Sequence, residues 1–364
     1  MLKQTIIDRY IGKEILFSWF AVFIVLTLII SGSTLGNLFS QAADGSLPNN
    51  VVFTLLFNAT LRFSVQLLPI SLFIGALFAF GRLYKDSEMV SMFACGITYK
   101  ALYRPLFLIA VPMALLSAIA NFMMVPALKH EYYELEATVE DSVDITGVTA
   151  GRFTASKGAY PSIFFIERKD KHGKMRHTFL YQSDKSNRSS IETSSTASYY
   201  LDDKGRRFML FENGLRYEGK PGEGDYQAIE YKKHGVYVED NQSVRVRTKR
   251  DEIPSSVLWA SDKLTHKAEL QWRLAIPVVI IVLAFMAVPF SHTSPRKGRF
   301  TKIGPAIIVY IIYSNLLIAA LSWMEKGKTP VWLGLWWVHF IFILLGLLLL
   351  MKQTRFHKRL LGAS

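Results

Sequence analysis

Few residues of this chain have the types and spacing that chemistry requires. Glu88 lies in RLYKDSEMVSMFACGI, residues 82–97, beside Met89, Met92 and Phe93 at helical spacing. Arg62 interrupts a long apolar run. Glu131, Glu134, Glu136 and Glu140 form an acidic helical face with no His or Cys at ligand spacing, so a solvated surface explains them better than a metal site. Gly214 to Lys220, GLRYEGK, has phosphate-loop spacing. Pro221 stands where Ser or Thr would hold magnesium, however, and no helix pattern follows. There is no G-x-S-x-G, H-E-x-x-H or paired-cysteine motif. The residues thus name no catalytic centre, metal or cofactor, and any uphill work must draw its energy from a partner.

The elements that must position these residues are mostly membrane spans. Apolar runs long enough to cross a bilayer recur at about 15–38, 53–80, 102–128, 272–290, 303–324 and 332–351. The formal net charge of +13 does not point to nucleic acid. Residues 129–266 hold 22 basic and 22 acidic side chains, so the excess sits in the spans and their short loops. Residues 1–14, 81–104, 291–302 and 352–364 carry 3, 4, 4 and 4 Lys or Arg, against none in 39–52 and two in 325–331. This asymmetry predicts cytoplasmic termini, a cytoplasmic helix at 82–97 and an external insert. Cys95 is the only cysteine, so the insert is held by its own core rather than by disulfides. The division expected is 1–128 for spans one to three, 129–266 for the insert and 267–364 for spans four to six with the tail.

Between the second and third spans, Asp86 or Ser87 can cap a short helix, Glu88 suits its first turn and Gly96 suits the position just past its end. Met89, Met92 and Phe93 then make an apolar ridge offered to another protein, or simply resting on headgroups. Arg62, about a third of the way in from the outer face, either faces a polar cavity or snorkels to the interface. From about 145 to 246 the pattern changes to short strands, SIFFIE, TFLYQ, ASYYLDD, RRFMLFENG, LRYEG and YQAIEY, separated by turns such as Asp170 to Gly173, Asp202 to Gly205 and Pro221 to Gly224. Their spacing predicts an antiparallel sandwich or jelly roll. Several strands are apolar on both faces, which an ordinary core or a sandwich open to acyl chains would each explain. Alternation puts Phe165, then Phe179 with Tyr181, and Phe208 with Leu210 on single faces; with Phe153 they are the candidates for an inner, lipid-contacting surface.

GRLYKDSEMVSMFACGI, the three-plus-three spans around an external β domain, AVPFSHTSPRKGRFTKIGPAIIVYIIYSN and GLWWVHF together resemble the LptF/LptG permease family of the lipopolysaccharide exporter. The likeness covers essentially the whole chain. Ala94-Cys95-Gly96 after Ser87-Glu88 is nearer the LptF branch than the LptG branch. The resemblance implies a heterodimer with an LptG-like permease, two copies of a cytoplasmic LptB-like ATPase, and delivery of lipopolysaccharide through β-jelly-roll domains to LptC-like and LptA-like proteins. It makes Tyr84, Asp86, Ser87, Glu88, Met89, Met92, Phe93 and Gly96 the ATPase-docking segment. Many relatives carry basic residues near the outer end of the first span. Here Thr34 and Asn37 are the candidate contacts and no Lys or Arg occurs between Lys13 and Arg62, so the partner permease would supply more of the phosphate recognition. Two alternatives stay open: a permease of another exporter, such as a lipoprotein-release complex, and a membrane enzyme acting on lipid head groups.

Overall fold

The computed structural model describes residues 2–43, 47–146, 150–151, 153–156, 162–170, 174–183, 188–201, 207–237, 249–292 and 303–360. Six helical stretches in it are long and apolar enough to cross a membrane: Ile6–Ala43, Asn49–Lys85, Tyr99–Leu135, Leu264–Ser291, Ile303–Glu325 and Trp336–Gln353. They belong to α1 (Leu2–Ala43), α2 (Val52–Lys85), α4 (Tyr99–Ile119) continuing through a π-helical turn (Ala120–Met124) into α5 (Val125–Thr146), then α7 (Leu264–Ser291), α8 (Ile303–Glu325) and α9 (Trp336–Leu360). Two short helices, α3 (Glu88–Ala94) and α6 (Ser255–Trp259), lie between them. The six expected spans are present. The fourth starts eight residues earlier than its apolar run suggested, taking Glu269 into the same helix as Arg273. The basic cluster Ser294 to Arg299 lies outside the described residues.

The chain divides into two compact units, residues 1–35, 54–132 and 249–364 forming the first and 36–53 with 133–248 the second. In the first, α7 is the central helix, buried at Ala275, Val279, Ile280, Leu283, Ala284 and Ala287. Small residues let its neighbours approach, as packing in lipid demands. A Cβ on Gly346 of α9 would meet the Phe285 ring at 2.8 Å. The tightest approach joins α1 to α2: a Cβ on Gly75 would sit 2.5 Å from the Trp19 Cα, while the Trp19 indole donates to the Ser71 hydroxyl at 3.1 Å. Pro69, Pro105, Pro112, Pro277 and Pro289 all sit inside continuous helices.

Among the described residues, the second unit holds a six-stranded antiparallel sheet, β1 (Phe153–Ser156), β2 (Ser162–Lys169), β3 (Met175–Ser183), β4 (Ser189–Leu201), β5 (Arg207–Gly219) and β6 (Gln227–Tyr237), paired in chain order. The inserted antiparallel β domain is as expected, and each described strand pairs with the one before it. RRFMLFENG and LRYEG, expected as two strands, form the single strand β5. Asn213 adopts φ 54°, and His177 in β3 adopts φ 49°. The ladders omit the pairs through Glu167, His177, Ser195, Asn213 and Lys232, so these residues mark a crease running across the sheet. The crease keeps the register and switches the side-chain alternation: residues 164, 166, 178, 180, 192 and 194 are buried on one side of it, and 175, 197, 209 and 211 on the other. Across the crease His177 Nδ1 meets Glu167 Oε2 at 2.7 Å, and the Ser195 hydroxyl donates to the Asn213 carbonyl at 3.1 Å.

Gly75→Ala should destabilise the purified protein by about 1–3 kcal/mol, because the contact is with backbone and cannot be relieved by one rotamer. Gly32→Ala, with nothing within 4 Å of its Cβ, should not. Thermal unfolding of the two variants in the same detergent checks this.

Candidate functional site

Three places in the fold gather polar or accessible groups, and they are taken in turn. The first is the corner between α2 and α4. Asp86 and Ser87 join α2 to α3, with Asp86 N–H bonded to the Arg82 carbonyl and Ser87 N–H to that of Tyr84. Ser87 has φ 61° and its side chain does not cap α3. The expected side-chain cap is thus replaced by a left-handed residue that closes α2 and opens α3 in one step. The other end follows expectation: Gly96 has φ 85°, its N–H bonds the Phe93 carbonyl, and the Ile97 N–H bonds that of Met92, which is a Schellman closure.

The ridge of α3 faces inward. Met89 is fully buried, Met92 and Phe93 pack against the helical core, and Tyr84 is buried edge-on to His292. Phe93 lies 4.7 Å from the Tyr99 ring centroid. The exposed side instead carries Lys85, Asp86, Ser87, Val90, Ser91, Ala94, Cys95 and Gly96. Glu88 is half-buried at the edge between the two sides and belongs to a chain of polar contacts. The Tyr10 hydroxyl donates to Glu88 Oε2 at 2.7 Å, Arg82 donates to the Tyr10 oxygen at 2.9 Å, and Arg82 Nε pairs with Glu14 at 3.0 Å. Asp8 and Arg104 add a further α1–α4 pair at 3.3 Å.

The second place is a buried arginine. Arg273 is 3% exposed, and all three of its nitrogens are used: Nε to Glu269 Oε1 at 3.1 Å, one terminal nitrogen to Ser255 Oγ at 2.7 Å, the other to the Asp251 and Ile253 carbonyls at 3.2 and 2.9 Å. The Ser255 hydroxyl donates to the Phe122 carbonyl at 2.6 Å, inside the π-helical turn, where Pro126 four residues on has no N–H to offer that carbonyl. Around this core Lys129 pairs with Asp251 at 2.8 Å, His130 with Glu252 at 3.4 Å, and Arg250 with Glu325. Sequence reasoning missed this network because its members come from separate stretches, 122–130, 250–255 and 269–273, with Glu325. The i,i+4 spacing of Glu269 and Arg273 was the available signal. Arg62 is half-buried on α2 with its guanidinium 4.5 Å from the Tyr132 ring centroid, and its Nε is buried with no hydrogen-bond partner among the described residues. Thr34 turns its hydroxyl to the Ile30 carbonyl at 2.8 Å, and Asn37 is exposed.

The third place is the β sheet, whose two faces differ. One face packs: Phe164, Ile166, Met175, Leu180, Ala197, Met209 and Phe211 form its hydrophobic cluster. It also buries Glu192, whose Oε1 meets His234 Nδ1 at 2.7 Å, and burial, helped by Glu192, pushes the Tyr231 hydroxyl pKa up. The six residues expected on an inner surface all lie on the opposite face. Phe153, Phe165 and Phe179 are cross-strand neighbours with ring centroids 4.8 Å and 6.2 Å from Phe153, and Tyr181 follows in the next row. Beyond the crease, Phe208 and Leu210 share that face. They are not packed in a core: Phe153 is 69% exposed, and Ile163, Ile191, Tyr200, Leu215 and Tyr217 lie open on the same side. The face is thus accessible and apolar on each side of the crease, where a charged row of Arg168, Arg176, Thr196, Glu212 and Lys233 crosses it. The GLRYEGK segment lies in β5 and the turn after it, with Gly214 in the ladder, so it forms no phosphate loop. At the sheet's surface the Lys174 ammonium, with Thr196, holds Glu212 below the ordinary carboxylate range. The stability this pair contributes is present above the unfolded-state value and is lost as pH falls through the lowered one.

Six spans with an antiparallel domain inserted between the third and fourth, and a short helix turning the second into the third, define a multi-pass membrane protein of permease type. The chain belongs to the lipopolysaccharide export system permease LptF/LptG family, which it matches over residues 9–352. It is 28% identical over 352 residues to the lipopolysaccharide export system permease protein LptF of Escherichia coli K12, a match covering 96% of this chain and 95% of that protein. The protein of the same description from Shigella flexneri matches equally.

Arg273→Leu should cost about 3–5 kcal/mol, because it strands Glu269 and two backbone carbonyls in a buried site. Loss of folded protein in detergent, measured by thermal unfolding, checks this, with Arg104→Leu at the exposed Asp8 pair as a nearly neutral comparison.

Proposed function

We propose that this protein is the LptF-type permease subunit of an ABC transporter that extracts lipopolysaccharide from the outer leaflet of the inner membrane. It has no ATPase site of its own on this reading. It works as a heterodimer with an LptG-like permease, on which two copies of an LptB-like ATPase act from the cytoplasm. Lipopolysaccharide passes to LptC-like and LptA-like periplasmic proteins. The distribution of Lys and Arg supports cytoplasmic termini, a cytoplasmic α3 and a periplasmic β domain. The division into residues 1–128, 129–266 and 267–364 follows from this reading.

The observation that carries the proposal is the accessible apolar face of the sheet, in a chain whose family match runs almost end to end. A packed core cannot take up a lipid, whereas an open apolar face can. Each methylene it covers gains about 0.8 kcal/mol. Membership of a permease family does not favour the head-group enzyme, and the LptF match does not favour a lipoprotein-release permease. For docking, α3 offers Glu88 at its edge with Asp86, Ser87 and Gly96 beside it. Met89, Met92, Phe93 and Tyr84 then set its position from beneath.

Photo-reactive residues at Phe179 and Tyr217 should crosslink lipopolysaccharide in an ATP-dependent manner in the assembled transporter, while one at Ile229, exposed on the other face, should not. Crosslinks confined to the membrane spans would overturn the β-face reading. Arg62 offers free guanidinium donors suited to a phosphate while its plane is held against Tyr132. Arg62→Ala should lower lipopolysaccharide-stimulated ATP hydrolysis, and Arg62→Lys should retain part of it. Equal activity of Arg62→Ala and the parent protein would remove Arg62 from the substrate path.

A further inference from the structure

We infer that Tyr10 is a positioning residue for Glu88, holding one carboxylate oxygen so that the other is presented to a basic group on the ATPase. The inference rests on the docking reading above and adds to it a residue from a different helix. Tyr10 lies on α1, 78 positions before its partner, so nothing in the local sequence of α3 announces the contact. Its hydroxyl donates to Glu88 Oε2 at 2.7 Å, and Oε1 has no partner among the described residues. A glutamate at a helix edge otherwise samples several rotamers, and ordering such a side chain on binding costs affinity. The Tyr10 bond removes that freedom in advance.

The contact is also polarised. Arg82 donates to the Tyr10 oxygen at 2.9 Å and is itself paired with Glu14 at 3.0 Å. A phenol that accepts from a guanidinium becomes a better donor, so the carboxylate of Glu88 receives a stronger bond than an isolated tyrosine would give. The chain Glu14, Arg82, Tyr10, Glu88 joins α1, α2 and α3 at one corner. Ile11, the next residue, and Ile15, a turn further on, are buried in the helical core and fix this part of α1. Removing the hydroxyl alone leaves this packing intact, because the Tyr10 ring is partly exposed and Phe preserves it.

The test titrates the ATPase onto the reconstituted permease pair and reads the concentration giving half-maximal ATP-driven lipopolysaccharide release. Tyr10→Phe should raise that concentration about five-fold. Glu88→Ala should raise it further, and Tyr10→Phe added to Glu88→Ala should change nothing more. If Glu88→Ala is impaired while Tyr10→Phe behaves as the parent, the positioning role is wrong and the docking reading stands. If Tyr10→Phe is as harmful in the Glu88→Ala background as alone, the hydroxyl acts on general structure and the positioning role again fails. If Glu88→Ala itself behaves as the parent, the docking reading fails.

Discussion

A charge withdrawn from both water and lipid must find every one of its hydrogen bonds inside the protein, and Arg273 meets this constraint with four acceptors from three parts of the chain. The consequences spread outward. Residues 251–255 must run where their carbonyls and the Ser255 hydroxyl can reach the guanidinium, and Ser255 in turn reaches the π-helical turn of the third span. Around it Lys129 pairs with Asp251, His130 meets Glu252, and Arg250 pairs with Glu325. Removing the arginine would leave several groups unsatisfied at once, which is why such networks are kept whole or not built.

The other end of the helical unit follows different rules. There the polar contacts are exposed, and individually each is weak. Their effect comes from linkage: one hydroxyl, accepting from Arg82 and donating to Glu88, ties at the surface three helices whose apolar sides already share a core. The close approach of Gly75 to Trp19 holds α1 against α2 further along, so the contact geometry at Tyr10 is set by packing and not by the hydrogen bonds alone.

The spans, the insert and most strands were legible in the sequence because apolar length and alternation are local signals. The α3 boundary was legible at Gly96, where only the backbone conformation matters, and not at Ser87, whose left-handed geometry belongs to the end of α2. The inward turn of Met89 and Met92 could not be read either: an amphipathic helix tells which side is apolar, not whether its own chain or another covers that side. The same limit applied to the sheet. Phe165, Phe179 and Phe208 were correctly grouped on one face, yet the packed core formed on the other, from Phe164, Ile166 and Phe211, because strands apolar on both faces leave that choice to tertiary contacts. Arg273 and Tyr10 were hidden for a simpler reason, since their partners lie elsewhere in the chain.

The crease has a consequence for how the sheet can vary. Every strand crossing it changes phase together, so pairing is preserved while the outward and inward sets of side chains trade parity. If β3 or β5 lost its left-handed residue, His177 or Asn213, and ran straight through, it would still pair, but half of it would point its apolar residues to the wrong side of its neighbours. Through the row Glu167, His177, Ser195, Asn213 and Lys232, sidedness in one half of the sheet is tied to sidedness in the other.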